Sequence, residues 1–104
     1  MQVIIPMSGV GQRFIDAGYT TIKPLIVVED KPIIQHVLER FDSSDRYIFI
    51  CNENHLQKTE LESTLRSLQP AGKILSIKPH KKGPVYAVLQ AKDVIDLDQP
   101  TIVN

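Results

Sequence analysis

Two kinds of apolar pattern alternate along the chain. Near-continuous, β-rich runs fall at Val3-Ile4-Ile5, Tyr47-Ile48-Phe49-Ile50-Cys51, Ile74-Leu75-Ser76-Ile77 and Thr101-Ile102-Val103, the signature of short strands buried on both faces. Between them, apolar residues recur at the spacing of one helical face: Ile33, Ile34, Val37, Leu38 and Phe41; then Leu61, Leu65 and Leu68; then Val85, Val88, Leu89 and Ala91. These stripes predict helices over 32–41, over 54–68 and from 85 until it frays near 96. Asp30 is the expected N-cap of the first, with Pro32 in its opening turn, and Pro70-Ala71-Gly72 closes the second. Leu25-Ile26-Val27-Val28 reads as one more short strand, ended by Glu29-Asp30. Strands alternating with helices predict an α/β fold: a parallel sheet with right-handed crossovers and ligand loops at the carboxyl ends of its strands.

Residues 7–24 follow neither period and are punctuated by Gly9, Gly11 and Gly18. The stretch predicts a long loop, with a turn of helix around 13–17. Loops of this length inside a compact domain are usually functional.

At 104 residues the chain is at most one domain, and twelve Lys plus Arg balance twelve Asp plus Glu. Zero net charge argues against binding nucleic acid or an anionic membrane through bulk electrostatics, so any basic site is local. The single cysteine, Cys51, excludes an internal disulfide and lies in an apolar run, where a buried structural thiol is expected. No apolar stretch approaches the roughly 18 residues of a membrane span, and Met1-Gln2-Val3-Ile4-Ile5-Pro6 lacks the basic start of a signal peptide. A cytoplasmic protein is the expectation. The chain stops at Asn104, directly after an apolar strand with nothing to cover it. The expectation is therefore a longer natural product, and self-association of the present chain through its open edge.

Ser8-Gly9-Val10-Gly11-Gln12-Arg13 follows the first strand at once. Glycines there either shape a tight turn or let successive N–H groups approach an anion. A dinucleotide fingerprint would need a third glycine where Phe14 stands and a helix opening immediately, which disfavours NAD. No Gly-Lys-Ser/Thr occurs, so there is no P-loop. Arg13 and Lys23 share this loop with Asp16 as its only acid, either solvated or set beside backbone donors to meet a polyphosphate. A second basic loop carries Lys78, His80, Lys81 and Lys82 and ends at Gly83, either a solvated connection or an anion-attracting helix start. His80 has no Cys or His partner at metal spacing. Asp93, Asp96 and Asp98 read as a solvated acidic turn at the opposite end of the sheet.

Jointly, Ile4-Ile5-Pro6-Met7-Ser8-Gly9-Val10-Gly11-Gln12-Arg13-Phe14, Lys23-Pro24-Leu25-Ile26, Lys31-Pro32-Ile33-Ile34 and Gly83-Pro84-Val85-Tyr86-Ala87 resemble the N-terminal part of sugar-phosphate nucleotidyltransferases, the nucleoside-diphosphate-sugar pyrophosphorylases. The resemblance implies a Rossmann-like three-layer parallel sheet in the order 3-2-1-4. It implies a nucleoside triphosphate bound with Mg²⁺, a nucleoside monophosphate transferred to a sugar 1-phosphate or similar phosphorylated metabolite, and pyrophosphate released, for polysaccharide or glycan precursors. By the family's motif, Ser8, Gly9, Val10, Gly11 and Gln12 would contact the nucleotide, Arg13 would hold the departing pyrophosphate, Lys23 would neutralise the α-phosphoryl group, and Gly83 would meet the base. The sequence departs from the family where Gln12 replaces Thr or Ser, where Ile22 replaces a frequent Pro, and where Gly83-Pro84-Val85 replaces Gly-Thr-Ala. The family's metal-binding Asp is expected beyond Asn104, so no metal ligand is assigned within the chain, which on its own would bind nucleotide without catalysing transfer. A non-catalytic nucleotide-binding or assembly module of the same fold is the alternative from another class.

Overall fold

The computed structural model describes residues 1–9, 15–18, 20–96 and 98–104. The four apolar runs become strands β1 (Gln2–Met7), β4 (Arg46–Asn52), β5 (Lys73–Ile77) and β6 (Thr101–Val103), with β2 (Val27–Val28) and β3 (Lys31–Pro32) forming a small separate ribbon. The main sheet is parallel throughout and runs β5-β4-β1-β6. Counting only the four predicted strands, that is the order 3-2-1-4; the labels differ because the ribbon intervenes. Ile4 pairs with Ile48 on one side and Val103 on the other.

Alternation along the central strands sorts their side chains onto two faces. Val3, Ile5, Tyr47, Phe49 and Cys51 face α1 (Ile33–Leu38) and α3 (Leu61–Leu68), through Ile34, Leu38, Leu61 and Leu65. Ile4, Ile48 and Ile50 face α4 (Gly83–Gln90) and the turn beyond it, through Ala87 and Ala91. Both faces are buried, which is why these strands read as unbroken apolar runs, and the result is three layers. The Tyr47 and Phe49 rings stack with centroids 6.0 Å apart, and the Tyr47 hydroxyl donates to the Asp42 carbonyl at 2.7 Å.

Three local expectations are corrected. The strand expected over 25–28 holds only at Val27–Val28, which is β2 of the ribbon; Leu25 instead closes a 3₁₀ turn over Lys23–Leu25, with Pro24 in its first turn. Val27 is 67% exposed, so this apolar run covers no core. Asp30 does not cap α1. It forms with Glu29 the two-residue turn of the ribbon, both at positive φ (66° and 50°), as a tight hairpin whose twist matches its strands demands. The helix expected over 54–68 is broken into α2 (Glu53–Lys58) and α3. Leu56 and Leu61 pack on the same core, yet five residues of unbroken helix would set them about 140° apart. At the break Thr59 adopts an extended backbone, and its Oγ1 accepts from the Leu61 N–H at 3.2 Å.

Backbone direction also explains Pro6. The Gln2 N–H donates to the Pro100 carbonyl and the Asn104 N–H to the Ile4 carbonyl, so even-numbered residues of β1 direct their backbone groups toward β6. Pro6 falls next in that series, past the last β6 pairing at Ile4. Its missing N–H therefore removes no bond to β4.

The β6 end is held by Gln2, which is fully buried. Its Nε2 donates to the Asp96 carbonyl and to Thr101 Oγ1, each at 3.1 Å, and its Oε1 accepts from the Asp96 N–H at 3.1 Å.

Candidate functional site

From β1 the chain steps to β4 and β5 on one side, then returns to place β6 on the other. The reversal creates a crevice between the carboxyl ends of β1 and β6, where open α/β sheets bind ligands. A cavity of about 570 Å³ opens there. Its apolar wall includes Ile5 and Met7 of β1, Ile34 and Val37 of α1 and Ala87 of α4; its polar rim includes Ser8, Gly9, Lys23, His80, Gly83 and Asn104.

Four of the residues singled out in the sequence thus meet at one cavity: Ser8, Gly9, Lys23 and Gly83. Val10, Gly11, Gln12 and Arg13 lie outside the described residues. So do residues 13 and 14 of the helical turn expected around 13–17; of its remainder Ile15 and Asp16 have helical backbone, and the Gly18 N–H donates to the Ile15 carbonyl at 3.0 Å. Lys23 opens the 3₁₀ turn, tied by Leu25 N–H to Ile22 O at 3.0 Å and Ile26 N–H to Lys23 O at 3.2 Å. Ile22 packs on the core beneath and anchors the turn.

The two glycines serve different ends. Gly83, at the start of α4, has φ +83°, a conformation other residues adopt only with strain, while space around its missing side chain is open. Gly9 has no positive φ, and among the described residues no neighbour lies within 4 Å of a β-carbon placed on it. Among the described residues nothing in the packing requires glycine there, and Gly9 lines the cavity without a side chain between its backbone and that space.

The second basic loop reaches this cavity too, though not through its lysines. Lys78, Lys81 and Lys82 are exposed, and this loop meets the cavity through His80 and Gly83. His80, read from the sequence as a member of the basic loop without a metal partner, is buried and lies 2.6 Å from Ser8 Oγ through Nε2. Its backbone also bridges Gly9 in parallel. The two loops can meet because β4 leaves the sheet between them at Asn52, whose Oδ1 caps α2 by accepting from Asn54 N–H (2.8 Å) and whose Nδ2 donates to the Ser8 carbonyl (3.3 Å). No sequence spacing joins Ser8 to His80, 72 positions away. His55, on the cavity wall, was also missed: its Nδ1 is buried with no hydrogen-bond partner among the described residues, and burial lowers its pKa.

Cys51 is buried, and desolvation pushes its thiol up to about 12, the inert structural cysteine expected. Asp96 lies at the far end of the sheet. Its carboxylate accepts from Asp98 N–H and Gln99 Nε2, each at 2.9 Å, closing the acidic turn. Among the described residues no three His, Cys, Asp or Glu side chains gather in a way that could hold a metal ion.

Residues 2–104 match the family described as nucleotidyl transferase. The chain is 28% identical over 126 aligned positions to the UTP–glucose-1-phosphate uridylyltransferase of Haemophilus ducreyi, covering 99% of this chain and 43% of that protein. Its fold is similar to the nucleoside-diphosphate-sugar pyrophosphorylase of Vibrio cholerae RC9 (TM-score 0.71, 21% identity, 90% of this chain and 42% of that one). It is also similar to a UDP-glucose pyrophosphorylase complexed with UDP-glucose (TM-score 0.66, 21% identity, 98% and 43%), and to the UTP-bound enzyme of Acinetobacter baumannii (TM-score 0.59, 26% identity, 89% and 41%). The chain spans less than half the length of each of these relatives. With the match running from the first strand to the last residue, the chain belongs to the nucleotidyl transferase family.

Proposed function

We propose that this chain is the nucleotide-binding part of an enzyme that transfers a nucleoside monophosphate from a nucleoside triphosphate to a sugar 1-phosphate or similar phosphorylated metabolite. Such a reaction supplies cytoplasmic nucleotide sugars for polysaccharide or glycan synthesis. The observation that carries this reading is the meeting of Ser8, Gly9, Lys23 and Gly83 around one cavity at the carboxyl ends of β1 and β6, in a chain of this family.

The chemistry asks little covalent work of the protein. An acceptor phosphate oxygen attacks the α-phosphorus in line, the bond to the β-phosphate oxygen breaks, and its electron pair leaves with pyrophosphate. Positioning and charge stabilisation suffice. Ser8, Gly9, Val10, Gly11 and Gln12 are the nucleotide contacts, Arg13 holds the leaving pyrophosphate, Lys23 neutralises the α-phosphoryl group and Gly83 faces the base. Uridine is the first base to test, because the Haemophilus ducreyi relative is named for UTP and glucose 1-phosphate. Mg²⁺ is expected to accompany the triphosphate; among the described residues no cluster of ligands gathers for it.

UTP titrated with MgCl₂ into the ¹⁵N-labelled chain should shift the amide signals of Ser8, Gly9, Lys23 and Gly83, and Lys23→Ala should weaken binding roughly tenfold, as loss of one charged contact does. Absence of binding, or shifts confined to the β5 edge, would overturn the reading.

A further inference from the structure

The ring of His80 makes two hydrogen bonds that together fix its proton. Nδ1 lies 3.2 Å from the Lys82 backbone N–H. That amide can only donate, so Nδ1 must present its lone pair, and the neutral ring then carries its hydrogen on Nε2. Nε2 in turn lies 2.6 Å from Ser8 Oγ, so the ring donates and the serine oxygen accepts. The ring is held from outside as well: Tyr86 lies tilted against it with centroids 4.7 Å apart, and the Lys82 ammonium sits 4.8 Å from the centre of the Tyr86 ring. Ser8 is 1% and His80 9% exposed, and both border the cavity.

A hydroxyl that accepts from a fixed donor keeps its own hydrogen for another direction. We infer that His80 is a positioning residue: the Lys82 amide sets its tautomer, the imidazole Nε2–H pins Ser8 Oγ as an acceptor, and the Ser8 hydroxyl hydrogen is thereby aimed at an anionic phosphate oxygen in the cavity. This rests on reading the cavity as a nucleotide site. The same relay joins the loop after β1 to the loop after β5, so the second loop acts on the phosphate contact without touching the phosphate.

Two amide replacements separate the halves of the relay. In His80→Asn the side-chain oxygen can still accept from the Lys82 N–H, as in an Asx turn, but the side chain no longer reaches Ser8. In His80→Gln the amide nitrogen can reach Ser8 Oγ and donate. UTP affinity should fall roughly three- to tenfold in Ser8→Ala and in His80→Asn, the range expected for one hydrogen bond; it should stay near wild type in His80→Gln and fall no further when Ser8→Ala and His80→Asn are combined. Independently of ligand and of variant folding, imidazole ¹⁵N correlations of the wild-type chain should show the Nε2–H form. Nδ1–H in that spectrum overturns the inference, as does UTP binding by the wild type that Ser8→Ala and His80→Asn leave unchanged or lower additively. A wild-type chain that binds no UTP overturns the nucleotide reading itself, and the phosphate contact inferred from it, while the spectrum still decides the tautomer.

Discussion

A β-carbon placed on Gly72 would lie 2.7 Å from Cε2 of Phe49 and 3.2 Å from the Gln69 carbonyl oxygen. Phe49 is fully buried, and its ring is stacked on Tyr47, so it has no free rotamer to retreat into. Gly72→Ala should therefore overpack the entry to β5 and lower stability by about 1–3 kcal/mol. A urea midpoint equal to wild type would show that the ring can give way.

Gln2→Leu removes three hydrogen bonds at once and leaves both backbone groups of Asp96 without their buried partner. Loss on the order of 2 kcal/mol is expected. The readout that localises it is hydrogen exchange: the amides of β6 and of Asn104, which bonds Ile4, should lose protection before those of β4.

Gly9→Ala and Gly83→Ala should part company. At φ +83° alanine is strained, so Gly83→Ala should cost about 1–2 kcal/mol of stability. Gly9→Ala meets no neighbour among the described residues and should melt with the wild type, yet weaken UTP binding because a methyl group now stands on the approach to the backbone. Equal UTP affinity in Gly9→Ala would remove that residue from the site.

With its pKa raised to about 12 by burial, Cys51 should be about one part in ten thousand thiolate at pH 8. Its reaction with Ellman's reagent should run only through opening of the fold and accelerate with urea. Labelling in the native protein at the rate of a free thiol would contradict the packing around β4.

His55 has a pKa lowered from its ordinary 6.5 by burial, so the unfolded chain takes up a proton there before the folded one does. Its contribution is complete above pH 6.5 and is lost as pH falls from there toward the folded value. Urea midpoints measured from pH 7.5 down to 5.5 should decline, and His55→Leu should flatten that decline; an unchanged slope in the variant would assign the decline elsewhere.

The sheet was legible because its central strands are buried on both faces, so Tyr47-Ile48-Phe49-Ile50-Cys51 carried a plain signal of both existence and extent. Helices α1 and α4 were legible from one-face spacing. The ribbon was not: Val27 and Val28 look like core residues until tertiary structure leaves them in solvent, and the turn that forms the ribbon uses Glu29 and Asp30 at positive φ, where local preference would call for Asn or Gly. The break between α2 and α3 was hidden because Leu61, Leu65 and Leu68 set a helical stripe that says nothing about where Leu56 must point. At the site, glycines and cations announced themselves by position after a strand, which brought Ser8, Gly9, Lys23 and Gly83 into view. His80 and Asn52 did not, because their part depends on two loops closing over the end of β4, a long-range event with no local signature.

Pro6 gives the cavity floor a polarity. Its backbone is turned to the β6 side of β1, and having no hydrogen on nitrogen it offers there a carbonyl acceptor and no donor. Whatever comes to lie beside that point can bond Pro6 only by donating to its carbonyl.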